Sequence, residues 1–205
     1  MAYLGSLYLA ALFFQDALGL SAPQAGPVTF PSALGVMVGG QIVTRLLYGR
    51  YGPRRIVTTG LLGVAAATVL MAQVGTGTNL WLVRLVMLGL GVGTSFVFIR
   101  AQAFSTAAVS KARIRRALSV FSACKQFGGA VGVVLLSTVL AAVGPDRRAR
   151  GRTTVGLLAF RAGFLAAAAV AAVAVTVALT INDADAGAAT AGVPRGSTAR
   201  QTPTR

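Results

Sequence analysis

The stretch from Ile56 to Val74 is 19 residues long and holds no charge. At about 1.5 Å per residue a helix of that length nearly crosses the ~30 Å hydrocarbon core of a bilayer. Lipid offers no partner for backbone N–H and C=O groups, so a continuous apolar run can enter it only as a helix. A membrane β-strand would alternate polar and apolar residues over about 10 positions. This run does not alternate, which excludes a barrel.

The same signature recurs along the chain. Six spans are predicted, at about 3–20, 28–47, 56–74, 80–104, 117–143 and 155–181. The fold class is therefore all-α integral membrane with six transmembrane helices, forming one membrane domain over residues 1–182. The remainder, 183–205, is rich in Ala, Gly, Thr and Pro without apolar periodicity, the pattern of a disordered tail. Composition agrees: 55% of residues are hydrophobic and 11% charged, against about 25% charged in soluble domains. Met1-Ala2 supplies no basic leader and no cleavage pattern follows the first run, so no cleavable signal peptide is expected.

The net charge is +15, from 19 cations and 4 anions, with no histidine. The cations cluster in loops and at span ends rather than along one stripe, which fits topology and anionic headgroups better than nucleic acid. Two basic segments, Tyr48–Arg55 and Ser105–Arg116, share one side with the tail. Four arginines at 147–152 fall on the other. The majority places both termini in the cytoplasm. The Ala, Gly, Val and Arg bias is that of a GC-rich bacterial coding sequence, so the expected location is a bacterial plasma membrane, crossed several times.

With no histidine, no acid pair and no cluster of metal ligands, the chain is not expected to be an enzyme or to hold a metal or cofactor. The lone Cys124 in an apolar segment reads as a small buried residue. Polar residues inside spans are the candidates for function. Asp16 is the one acid in a span, preceded by Gln15. It is either a titrating or cation-attracting group, or an interfacial residue at a helix end. Gln126 either lines a cavity or ties two helices together. Arg100 reads as an interfacial anchor or a substrate contact, and Lys125 as a side chain that snorkels to the cytoplasmic headgroups. Small-residue pairs at Gly35/Gly39, Gly89/Gly93 and Gly128/Gly132, with Gly129 between the last two, allow close helix approach.

Three stretches resemble the major facilitator superfamily, and within it the C-terminal six-helix half of the 14-span drug:proton antiporters of the EmrB/QacA kind. They are LYLAALFFQDALGLSAPQAG in the first span, ALGVMVGGQIVTRLLYGRYGPRRIVTTGLLG across the second and third, and ARIRRALSVFSACKQFGGAVGVVLLSTVL in the fifth. The likeness covers about residues 3–182. It implies two three-helix inverted repeats and proton-driven efflux of amphipathic small molecules by rocking of two halves. It also implies a cytoplasmic gating loop containing Arg50, Gly52, Arg54 and Arg55, and a gating role for Gly128, Gly129 and Gly132. The sequence departs from the family pattern at the loop, where an aspartate would fall on Gly49. In the fifth span the usual arginine is Lys125, the usual asparagine is Ser122, and Arg115 replaces a glycine. Only one half is represented, so the chain is expected to be truncated or split and inactive alone. Its expected partners are the bilayer, an N-terminal half or a second copy of itself, and an amphipathic substrate. A non-transporting assembly subunit built on glycine packing is the rival reading.

Overall fold

The structure, a computed structural model, describes residues 2–47, 52–75, 78–107, 114–143, 147–149, 152–154 and 156–180. Arg50 and the tail from 183 onward lie outside the described residues. Six α-helices make up the bundle: α1 (Ala2–Leu12), α2 (Ala22–Ile42), α3 (Pro53–Gln73), α4 (Leu80–Ala107), α5 (Ile114–Val143) and α6 (Leu157–Thr180). A π-helical turn continues α1 over Phe13–Ala17 and another continues α2 over Val43–Leu47. Five of the helices, α2 to α6, are long and apolar enough to cross a membrane. The 11 residues of α1 and the 5 of its π turn are shorter than that.

Several boundaries differ from the sequence reading. Ser21 to Pro27, expected as a turn, is mostly helix. Ser21 starts it in extended conformation, and its N–H donates to Oε1 of Gln24 at 3.0 Å. Pro23 sits in the first turn, where the missing N–H would have no helical partner in any case. Pro27 and Pro31 follow inside the helix. Helix α3 also begins earlier than expected. Gly52 precedes it and Pro53 is its first residue, so Arg54 and Arg55 stand on its first turn and not in a loop. Likewise Arg115 and Arg116 belong to the first turn of α5. Between α5 and α6, the expected polar loop contains a short antiparallel pair, β1 (Arg147–Ala149) and β2 (Arg152–Thr154), with Arg147 opposite Thr154.

The helices pack in a pattern that relates the first three to the last three. Helix α2 lies along α4, and α5 lies along α1. Helix α3 packs on α4 and on α6, and α6 also meets α1. Each triplet thus offers its second helix to the first helix of the other, and the two third helices meet. This is the exchange that an inverted repeat produces.

Glycines set the close crossings. A methyl group built on Gly35 would meet the Leu88 carbonyl and one on Gly91 the Ser32 carbonyl, so α2 and α4 touch backbone to backbone. At the equivalent α1–α5 crossing, a methyl on Gly5 would lie 3.1 Å from the Gly132 carbonyl oxygen. Helix α4 meets α3 through Gly93 and Gly60. Gly89, expected to pair with Gly93, faces open space, and Gly91 takes the contact with α2 instead. Without water there is little hydrophobic drive between helices, so small residues that allow such approach supply the packing.

Two buried threonines bond to their own helix, whereas Ser6 Oγ and Thr58 Oγ1 are buried without a hydrogen-bond partner among the described residues. Thr68 Oγ1 donates to the carbonyls of Val64 and Ala65 at 3.0 and 2.8 Å, and Thr94 Oγ1 to that of Leu90 at 2.7 Å. The Thr68 and Thr94 hydroxyls are carried inside the bundle this way without being orphaned. An aromatic cluster closes one end. Phe13 packs edge-on against Phe160 at 5.4 Å and Phe164 at 6.1 Å, and all three are buried.

Candidate functional site

The four cavity candidates, Gln15, Asp16, Arg100 and Gln126, fall at two ends of the bundle. Gln15 and Asp16 lie on the π turn after α1 and are exposed, because Phe13 and Phe14 on the same turn point inward. Arg100 and Gln126 belong to the other end. The register shows this: α1 and α5 run side by side in the same direction, with Leu4 against Gly129 and Leu9 near Leu140. Asp16 is 13 residues past Tyr3 along the chain, about 20 Å of helix.

Arg100 is 8% exposed, so it is not a freely snorkelling side chain. It follows Gly93 and Val97 on the stripe of α4 that packs on α3. Gln126 is exposed on α5 and makes no side-chain hydrogen bond among the described residues. Gly129 and Gly132 are buried against α1, whereas Gly128 is partly exposed. The α1–α5 contact therefore uses residues three apart, not the Gly128/Gly132 pair. Cys124, expected to be buried, is exposed. Gly52, just ahead of α3, and Arg55 in its first turn are exposed, and Arg54 is partly buried.

Two features were not anticipated. The first is a groove of about 670 Å³ between α1 and α2. Helix α1 contributes Tyr3, Leu4, Leu7, Tyr8 and Ala11, and α2 contributes Gly26, Thr29, Phe30, Ser32 and Ala33. It forms because each of these helices packs closely on a different neighbour and they barely touch one another. The only sequence signal was the i, i+4, i+8 run of Tyr3, Leu7 and Ala11, which periodicity alone assigns to packing. The second is a cluster from three helices. Tyr3 of α1 meets Phe98 of α4 edge-on, ring centroids 6.4 Å apart. Lys125 of α5 places Nζ 5.5 Å above the same Phe98 ring. The ammonium that was expected to reach for headgroups is folded onto a ring of the neighbouring helix.

At the other end of α4, Arg84 lies 4.8 Å over the Trp81 ring, and Trp81 is 68% exposed. An exposed indole beside a guanidinium at a helix start is the arrangement of a membrane–water interface.

Residues 1–202 match the sequence model described as "Major Facilitator Superfamily". The chain belongs to the major facilitator superfamily. As a superfamily member it is a multi-pass membrane protein, and its long apolar helices agree. Among its relatives is the puromycin resistance protein pur8 of Streptomyces alboniger, 30% identical over 140 residues, 66% of this chain and 27% of that protein. The tetracycline resistance determinant of Streptomyces rimosus is 30% identical over 149 residues, 71% of this chain and 42% of that protein. The tetracenomycin C resistance and export protein of Streptomyces glaucescens is 29% identical over 154 residues, 71% and 28%. The chain thus corresponds to less than half the length of these curated relatives. No solved structure matches it significantly.

Proposed function

We propose that this chain is the C-terminal six-helix half of a proton-coupled efflux transporter for amphipathic small molecules, of the 14-span drug:proton antiporter group. The α1–α2 groove carries the reading: it is mostly apolar, open, and bordered by the hydroxyls of Tyr8 and Thr29, the chemistry that holds an amphipathic molecule. The resistance and export functions named for three relatives point the same way. The exposed sides of α2 and α5 supply the surface for a second six-helix unit. On α2 these include Met37, 70% exposed, and on α5 Phe127, 72% exposed. That unit is an N-terminal half or a second copy, and transport proceeds by rocking of the two units about the groove.

In this reading both termini are cytoplasmic in a bacterial plasma membrane. Arg50, Arg54 and Arg55 anchor that orientation, and Gly52 lets the chain turn into α3. Gly129 and Gly132 keep α5 against α1 while the units move. Asp16 is the one acid in a described helix or π turn. Proton coupling consequently depends mainly on carboxylates of the other unit.

Reconstitution into vesicles tests the reading. The chain alone is expected to give no proton-driven efflux of a fluorescent amphipath, and co-reconstitution with an N-terminal half from one of the resistance relatives is expected to restore it. Crosslinking in mild detergent is expected to give a species larger than the monomer. A strict monomer that transports would overturn the half-transporter reading. Absence of flux in every combination, with stable self-association, would favour the assembly-subunit reading.

A further inference from the structure

We propose that Lys125, seated on Phe98, is a charge-recognition residue and that the molecule it receives is a small amphipathic organic anion. The proposal names a substrate class for the transporter reading above and rests on it.

The argument begins with charge. The predicted spans carry Arg45, Arg84, Arg100, Lys125 and Arg161 but a single acid, Asp16. Asp16 is at the far end of α1, about 20 Å of helix from the Tyr3 level. The other charged groups of α5 are Arg115 and Arg116, both exposed cations in its first turn. Arg100, two residues beyond Phe98 on α4, is also a cation. No carboxylate among the described residues lies at the level of Lys125. An ammonium in a membrane helix is retained only for a purpose that offsets its cost, and its natural partner is an anion. A cationic substrate would meet like charge at this site, which costs affinity.

Geometry supplies the rest. Lys125 is 11 residues past Ile114, about 16 Å along the helix axis, and its Nζ turns across to α4. The Phe98 face fixes the ammonium at about 0.5–2 kcal/mol. A charge-assisted bond to a carboxylate is stronger than that and leaves the ring contact in place. The side chain is exposed, so an anion has access. Tyr3 belongs to both features: it borders the apolar groove and packs on Phe98. An apolar body in the groove therefore brings its charged end toward Lys125.

The test is binding of 1-naphthoate and of the equal-sized cation 1-naphthylmethylammonium to the full chain. The chain is held in nanodiscs of zwitterionic lipid, and binding is read by equilibrium dialysis with empty discs subtracted. Naphthoate is expected to bind about tenfold more tightly than the cation, the discrimination of one charged hydrogen bond. Lys125→Gln is expected to abolish that preference with helicity unchanged, and Lys125→Arg to keep it. Arg161→Gln, which removes an exposed cation elsewhere, is expected to have no effect. Equal binding of the two probes, or a preference that survives Lys125→Gln, overturns the proposal. Displacement of naphthoate by added phosphatidylglycerol, dependent on Lys125, also overturns it, because the anion is then a lipid headgroup. The readout is independent of flux. Lys125-dependent binding in a chain that never transports, with any partner, would remove the transporter reading and leave the site standing.

Discussion

Gly60 and Gly93 face one another across the α3–α4 crossing. A methyl on Gly60 would lie 2.7 Å from the Gly93 carbonyl oxygen, and one on Gly93 would lie 2.8 Å from that of Gly60. Both obstacles are backbone, so a helix would have to move. Gly93→Ala is expected to destabilise the purified protein by about 1–3 kcal/mol, the usual cost of overpacking. Gly89→Ala, facing open space, is expected to be neutral or slightly stabilising. Thermal unfolding in detergent compares the two, and equal effects would contradict the crossing.

The α1–α5 contact gives a covalent test. A Cβ on Gly129 would be 3.5 Å from Cβ of Leu4, within the range bridged by a disulfide. A double variant with Leu4→Cys and Gly129→Cys, in a Cys124→Ser background, is expected to form an intramolecular disulfide under mild oxidation. Peptide mass mapping before and after reduction detects it. Free thiols at both positions would mean that α1 is seated elsewhere.

Trp81 is the chain's single tryptophan, so its fluorescence reports one depth. With Arg84 over its ring, it is expected to lie at the membrane–water interface. Lipids with spin labels near the headgroup should quench it more than lipids labelled at the chain end. Stronger quenching from the bilayer centre would displace the start of α4 from the interface.

Phe13 ties the end of α1 to α6. Phe13→Ala removes a fully enclosed ring and is expected to cost about 3 kcal/mol or more. Leu165→Ala on the same bundle removes a side chain that is 52% exposed, and its effect should be small. Urea or thermal unfolding in the same detergent measures the difference.

The helices were legible in the sequence because length and continuous apolarity are local properties. Ile56 to Val74 needed no partner to be read as a span. The start of α2 reads as a turn because Pro23 and Pro27 flank Gly26, although Ser21 and Gln24 have the spacing of a capping box and Pro23 suits a first helical turn. Arg54 and Arg55 read as loop residues because charge argues against a span, although Pro53 ahead of them is a good first helical residue. That Gln15 and Asp16 lie at one end of the bundle and Arg100 and Gln126 at the other was not legible. A sequence gives each residue's height on its own helix but not the register between helices. Phe98 and Tyr3 went unnoticed for the related reason that an aromatic residue in an apolar run carries no signal until its neighbour is known.

Helix α4 has a role that its sequence alone does not announce. Between about residues 88 and 97 its backbone is covered by α2 on one side and α3 on another. Breaking a hydrogen bond there requires two crossings to part together, whereas the sparsely covered α5 can fray without disturbing them. The amides of central α4 should be the last in the molecule to exchange with deuterium. Helix α4 is then the fixed axis against which the other helices are timed, and the first half of α5, which carries Lys125, belongs to the part free to move.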